Sequence, residues 1–128
     1  MDNATPSKTQ GKQILIVEDE KEYRDILAEI FQDEGFTVFQ AENGQLALDL
    51  LRNTQVDIVL LDLLMPQMDG VTFFYHLRKT LNKNTPVIIL TNFTEAAYPA
   101  GVTDFIIKAN TSLDEVVRRV KKNLSMEV

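Results

Sequence analysis

The chain contains no cysteine, no tryptophan and a single histidine, His76, among its 128 residues. Without thiols it forms neither disulfides nor a cysteine nucleophile, and it cannot build a cysteine-based zinc site. It also lacks an apolar run of the roughly 20 residues that cross a bilayer. Residues 1–12 are polar and have no hydrophobic stretch like that of a signal peptide, so they are predicted to be a flexible tail. These absences favour a cytoplasmic protein without membrane contact.

Basic residues are also fewer than acidic ones. Thirteen basic residues face nineteen acidic ones, which gives a net charge of −6 at pH 7. Such a balance argues against direct binding of nucleic acid and suits a site for cations. The hydrophobic content of 45% is enough for one domain with its own core, which we place at residues 13–126.

Apolar runs alternate with segments of helical periodicity along this domain. The predicted strands are 13–17, 36–41, 56–61, 86–90 and 105–107. The first helix is predicted to bury the stripe Tyr23, Ile26, Leu27, Ile30 and Phe31, and the second the stripe Leu46, Ala47, Leu50 and Leu51. A third helix is predicted at 71–81, and a last one carries Leu113, Val116, Val117, Val120 and Leu124 after a capping box formed by Ser112 and Glu115. This alternation predicts an α/β fold with one parallel sheet covered by helices on both faces.

Polar side chains stand where four of the predicted strands end. Glu18 and Asp19 follow the first strand, Asp62 the third, Thr91 the fourth and Lys108 the fifth. Right-handed crossovers bring the carboxyl ends of parallel strands to one edge, so these groups are expected to converge. Carboxylates that converge repel one another unless a cation intervenes, and an all-oxygen ligand set favours magnesium over zinc.

A longer motif begins at Asp62 and reads Asp-Leu-Leu-Met-Pro-Gln-Met-Asp-Gly up to Gly70. Together with the acidic pair, the threonine and the lysine at the other strand ends, it resembles the receiver domains of two-component response regulators, over about residues 12–124. The resemblance implies a flavodoxin-like, doubly wound sheet with strand order 2-1-3-4-5. Within the motif, Asp69 and Gly70 are most simply a turn and a helix cap.

The resemblance also implies roles for single residues. Asp62 would accept a phosphoryl group from a histidine kinase or a small phosphodonor. The implied magnesium ligands are Glu18, Asp19, Asp62 and the backbone carbonyl of Leu64. Thr91 and Lys108 would bind the phosphoryl oxygens, and Phe105 would rearrange with Thr91 as the switch. Such a domain is no enzyme for separate substrates, because it catalyses only its own phosphorylation and dephosphorylation.

The implied partners are a histidine kinase or phosphotransfer protein and a downstream protein effector. The chain departs from the family pattern at Glu18, where aspartate is commoner, at Asn92 in place of alanine and at Ala109 in place of proline. Only sixteen residues separate Thr91 from Lys108. We therefore predict a shortened or missing fourth helix, which disfavours the dimer that the family builds through that helix.

Three functional hypotheses remain from the sequence. The first is a phosphorylation-dependent switch, and the second is a degenerate receiver that works as a constitutive interaction module. The third is an aspartate-nucleophile phosphatase, which needs a second aspartate where this chain has Leu64. Flavin binding is disfavoured because the first strand ends in an acidic loop and not in a hydroxyl-rich phosphate cradle. His76, in the middle of the third helix, is expected to be a surface or boundary side chain without a role in phosphotransfer.

Overall fold

The computed structural model describes residues 11–65, 68–81, 83–92 and 99–124. Its five strands form one parallel sheet in the order β2-β1-β3-β4-β5. They are β1 (Gln13–Val17), β2 (Thr37–Ala41), β3 (Ile58–Leu61), β4 (Val87–Thr91) and β5 (Asp104–Ile107). All five fall within one or two residues of the predicted segments, and the doubly wound fold is confirmed.

Four α-helices connect or follow these strands in the part of the chain that the structure describes. They are α1 (Lys21–Asp33), α2 (Gly44–Leu51), α3 (Gly70–Tyr75) and α4 (Leu113–Asn123). A wider π-helical turn, His76–Thr80, continues α3 to nearly the predicted end of the third helix. The predicted shortening of the helix after β4 concerns residues 93–98, which lie outside the described residues, as do residues 1–10 of the predicted tail.

The helices cover both faces of the sheet. Residues of α2 and α3 pack with alternate strand residues such as Leu15, Val59 and Ile89 in one buried cluster. Residues of α1 and α4 pack on the other face, where Ile16 and Leu60 lie. All four residues of β3 and all five of β4 are buried, as expected for central strands of a parallel sheet.

Side-chain caps set the start of three helices. Asn43, Asp69 and Ser112 each accept a hydrogen bond from the backbone N–H three residues later, which satisfies one of the free donors of the first turn. The predicted capping box at Ser112 is half formed. Glu115 supplies its N–H to Ser112, while its carboxylate pairs with Arg118. The sequence thus located the helix start correctly but not the partner of the acidic side chain.

Two residues of the predicted buried stripes are exposed. Ile26 in α1 is 44% exposed and Leu46 in α2 is 46% exposed. The buried face of α1 is centred on Leu27 and Phe31 and extends to Ala28, so Ile26 lies on the flank of that helix. The prediction for these two positions was wrong because the other flank of each helix faces the sheet, with Ala28 buried in α1 and Leu48 buried in α2. Within the described ranges, no helix combines the length and the apolar character needed to cross a membrane.

Candidate functional site

Three carboxylates meet at the carboxyl edge of the sheet. β1 and β3 are neighbours with Val17 opposite Leu61, so the residues that follow them emerge side by side. Glu18, Asp19 and Asp62 each offer an oxygen, and these oxygens all lie within 4.8 Å of one another. Glu18 and Asp62 are buried, whereas Asp19 is exposed. The convergence expected from the sequence is therefore present.

A lysine ammonium lies between the two buried carboxylates. Lys108 follows β5 and places its Nζ 2.5 Å from Oε1 of Glu18 and 3.3 Å from Oδ2 of Asp62. The three side chains are only 12%, 4% and 8% exposed, so the charges face each other in a poorly hydrated space. The ammonium contacts two of the three clustered carboxylates, so the carboxylates outnumber it and negative charge is in excess in this cluster.

Two further donors fix the other oxygen of Asp62. The Thr91 hydroxyl donates a hydrogen bond to Oδ1 over 2.6 Å, and the backbone N–H of Leu64 donates to the same atom over 3.2 Å. Thr91 is 1% exposed and ends β4, the strand next to β3. Asp62 is thus surrounded by a hydroxyl, an amide and an ammonium, which is a set of donors suited to an anionic group.

Residues of the following segment also hold Glu18 in place, through its side chain and its backbone. Its Oε2 accepts a hydrogen bond from the Glu20 N–H over 3.0 Å, and Arg24 donates to its backbone carbonyl over 2.7 Å. Burial raises the pKa of Glu18, while the hydrogen bond from Lys108 opposes this rise. Burial alone would lower the pKa of Lys108, but its bond to Glu18 and the charge of Asp62 leave that pKa raised overall.

The profile of the response regulator receiver domain family matches residues 14–121 of this sequence. The chain belongs to this family. Its curated relatives include the transcriptional regulatory protein SrrA of Staphylococcus aureus, which is 39% identical over 116 residues, covering 87% of this chain and 47% of SrrA. This receiver domain therefore spans about half the length of the curated relatives it matches.

Solved receiver domains have the same fold. The response regulator TrrA of Thermotoga maritima, solved in complex with Mg²⁺ and BeF, is 32% identical with a TM-score of 0.78, over 88% of this chain and 98% of TrrA. The receiver domain of the Francisella response regulator 1452 is 28% identical with a TM-score of 0.79, over 90% and 98% of the two chains. The receiver domain of the hybrid histidine kinase CckA is 29% identical with a TM-score of 0.75, over 88% and 98%.

The backbone of the receiver motif packs tightly behind Asp62. Gly70 begins α3 and donates its N–H to the Leu63 carbonyl over 3.0 Å. A Cβ at this glycine would lie 2.6 Å from the carbonyl oxygen of Asp62 and 2.8 Å from the Cα of Leu63. Asp69 caps the helix through its bond to the Thr72 N–H. Both motif residues are in structural contacts, in line with the turn and cap predicted from the sequence.

Phe105, the predicted switch residue, is on β5, and β4 lies between it and β3, the strand that Asp62 follows. It is opposite Ile89 in the β4–β5 ladder and packs half-buried against the core cluster on the α3 face. The Thr91 hydroxyl already faces Asp62 in this structure. His76 begins the π-helical turn after α3, where its Nδ1 is 2.9 Å from Oγ1 of Thr80, and it is outside the acidic cluster.

Sequence reasoning missed two contacts around Lys108. The Tyr23 ring, which the helical pattern assigned only to the core, lies 4.6 Å from the Lys108 Nζ. Asn92 accepts a hydrogen bond from the Ala109 N–H over 2.8 Å. Tyr23 lies one helical turn beyond Asp19, and this proximity is the only sequence signal for its contact. Asn92 and Ala109 stood out as departures from the family pattern, but the contact between them was not predicted.

Proposed function

We propose that this receiver domain is a phosphorylation-dependent switch, in which Asp62 accepts a phosphoryl group from a histidine kinase, a phosphotransfer protein or a small phosphodonor. The observation that carries the proposal is the set of donors around Asp62. Thr91, the Leu64 N–H and Lys108 all reach its two oxygens. The output is a changed surface that a protein effector recognises.

In the reaction, an Asp62 oxygen attacks the donor's phosphorus, and the bond between phosphorus and the leaving group breaks as the new bond forms. The product is a mixed anhydride. Lys108 offsets the negative charge of the group in transfer, and Thr91 and the Leu64 N–H orient its oxygens. These residues act only on the domain's own aspartate, so we propose no reaction on a separate substrate.

A divalent cation fits the remaining negative charge of the site. Glu18, Asp19 and Asp62 supply oxygen atoms within 4.8 Å of one another, and such ligands suit Mg²⁺. We assign these three residues and the Leu64 carbonyl as its ligands, with Glu18 binding directly or through water. When bound, Mg²⁺ supplies charge that stabilises the transferring phosphoryl group. The solved complex of the related response regulator TrrA with Mg²⁺ and BeF supports the choice of Mg²⁺ as the cation.

Phosphorylation would change the hydrogen bonding of Thr91 first. Its hydroxyl donates to Oδ1 of Asp62 in the present state, and a phosphoryl oxygen would replace that acceptor. We propose that the resulting shift at the end of β4 is followed by Phe105, which lies half-buried on the neighbouring strand. The local charge change is thereby converted into a rearrangement of the β4–β5 edge.

Intact mass spectrometry tests the proposal. The chain is incubated with acetyl phosphate with and without Mg²⁺, beside Asp62→Asn and the control Asp49→Asn, which replaces an exposed aspartate of α2. We expect a single phosphoryl mass gain that needs both Mg²⁺ and Asp62 and that survives Asp49→Asn. No gain in the folded native chain, with acetyl phosphate or with candidate kinases, would favour the constitutive interaction module.

A further inference from the structure

The aromatic ring of Tyr23 lies beside the ammonium of Lys108. Tyr23 is in the first turn of α1, and its ring centroid is 4.6 Å from the lysine Nζ. This distance is within the range in which a cation is attracted to the negative face of a ring. The lysine is only 12% exposed, and the attraction is larger where water is excluded. The ring is therefore a third partner of the ammonium, beside Glu18 and Asp62.

Tyr23 is also well anchored. It is half-buried and packs against the core cluster between the sheet, α1 and α4. Arg24, the next residue of α1, donates to the Glu18 carbonyl over 2.7 Å and ties this helical turn to the end of β1. These contacts fix the position of the ring relative to the strand ends.

The three partners of Lys108 change to different extents during phosphorylation. On the function proposed above, Asp62 becomes phosphorylated and Glu18 turns towards a metal ion. Each change weakens the ion pair that this carboxylate makes with Lys108 at present. The Tyr23 side chain does not ionise during the proposed reaction and does not bind the metal. It is therefore the partner of Lys108 that stays the same from the unphosphorylated to the phosphorylated state.

We infer that Tyr23 is a positioning residue that keeps the Lys108 ammonium over Asp62 while the carboxylate partners of the lysine change. The inference rests on the proposed phosphorylation of Asp62. The alternative is that Tyr23 only fills the core beneath the lysine side chain. The two roles differ in their requirement for an aromatic face, because an aliphatic side chain packs in the core but does not attract a cation.

Two substitutions separate these roles. Tyr23→Phe keeps the ring and removes the hydroxyl, whereas Tyr23→Leu keeps an apolar side chain with good helix propensity and removes the ring. Ile30→Val serves as the control for lost packing, since Ile30 is on the same helix and packs against the same cluster. NMR of the unphosphorylated chain reports the contact directly. We expect ring-induced shifts of the Lys108 side-chain protons in the native chain and Tyr23→Phe, and their loss in Tyr23→Leu.

The rate of labelling by acetyl phosphate with Mg²⁺ reports the role. We expect the second-order rate constant to fall about fivefold in Tyr23→Leu and to stay near native in Tyr23→Phe and Ile30→Val, once each is corrected for its folded fraction. Native rates in Tyr23→Leu, or equal losses in Tyr23→Phe and Tyr23→Leu, would overturn the role of the ring. Absence of labelling in the native chain would instead overturn the proposed function, and this inference with it.

Discussion

The side chain of Asn92 accepts a hydrogen bond from the backbone N–H of Ala109, with 2.8 Å between Oδ1 and the amide nitrogen. This single contact joins two residues, one after β4 and one after β5, that differ from those expected from the resemblance to the family. Each residue directly follows a site residue, Thr91 and Lys108 respectively. A proline at position 109 has no N–H and could not make the contact. One bond therefore ties the end of β4 to the turn that follows β5.

A double-mutant cycle tests this link. Asn92→Ala should lower the free energy of unfolding by about 0.5 kcal/mol, because the bond is exposed and bonds of this kind contribute about that much at the low end. In the background of Ala109→Pro the same change should cost nearly nothing, since the donor is already gone. Urea denaturation of the four chains supplies the values. Equal costs of Asn92→Ala in both backgrounds would mean that the bond contributes nothing.

Gly70 should tolerate no larger residue. An added Cβ would lie 2.6 Å from the Asp62 carbonyl oxygen, which belongs to the backbone and cannot swing aside. We expect Gly70→Ala to lower the free energy of unfolding by about 1–3 kcal/mol through overpacking, despite the better helix propensity of alanine. Val71→Ala is the control, since Val71 is the next residue of α3 and is 43% exposed. A stable Gly70→Ala chain in urea denaturation would contradict the close approach.

Loss of Lys108 should destabilise the fold in a pH-dependent way. Lys108→Met leaves Glu18 and Asp62 buried without their cation, which should cost about 2–4 kcal/mol at pH 7. The pKa of Glu18 is already raised by its burial, so the ionised side chain opposes folding above that pKa. The defect should therefore shrink as the pH falls and Glu18 takes up a proton.

Chemical denaturation between pH 4 and pH 8 would measure this trend, with the exposed α4 substitution Lys122→Met as the control. Mg²⁺ should restore part of the stability lost in Lys108→Met, since a ligand that binds only the folded state stabilises it. A defect of constant size across this pH range would exclude the buried carboxylates as its cause.

A second ionic contact should set the acid stability of the domain. Arg119 in α4 holds the pKa of Asp104 down at about 2 through its hydrogen bonds at the start of β5. A carboxyl group whose pKa is lower in the folded state than in the unfolded state stabilises the fold at a pH above its unfolded-state pKa. The fold loses this stabilisation as the pH falls through the folded-state pKa. We expect the free energy of unfolding of the native chain to exceed that of Asp104→Asn by about 1–2 kcal/mol at pH 6, and the two values to converge between pH 4 and pH 2. Asp114→Asn, at an exposed position of α4, should not reproduce this convergence in urea denaturation.

Much of the fold could be predicted from local pattern. The run at 13–17 matches β1 at both ends, and the others differ from their strands by one or two residues. Strands that are buried on both faces are almost wholly apolar, so their signal is strong. The stripes of the amphipathic helices were less reliable. Ile26 and Leu46 are exposed because the pattern does not determine which flank of the helix faces the sheet.

The sequence by itself determined the family, the sheet and the set of polar residues at the strand ends. These features are local, because the residue that follows each strand is fixed by the order of residues along the chain. Only the tertiary structure decided which of these residues touch. Lys108 meets Glu18 across 90 positions of the chain, Tyr23 meets Lys108 from the first helix, and Asn92 after β4 meets Ala109 after β5. Contacts of this kind depend on the packing of several elements at once, and no periodicity within one segment encodes them.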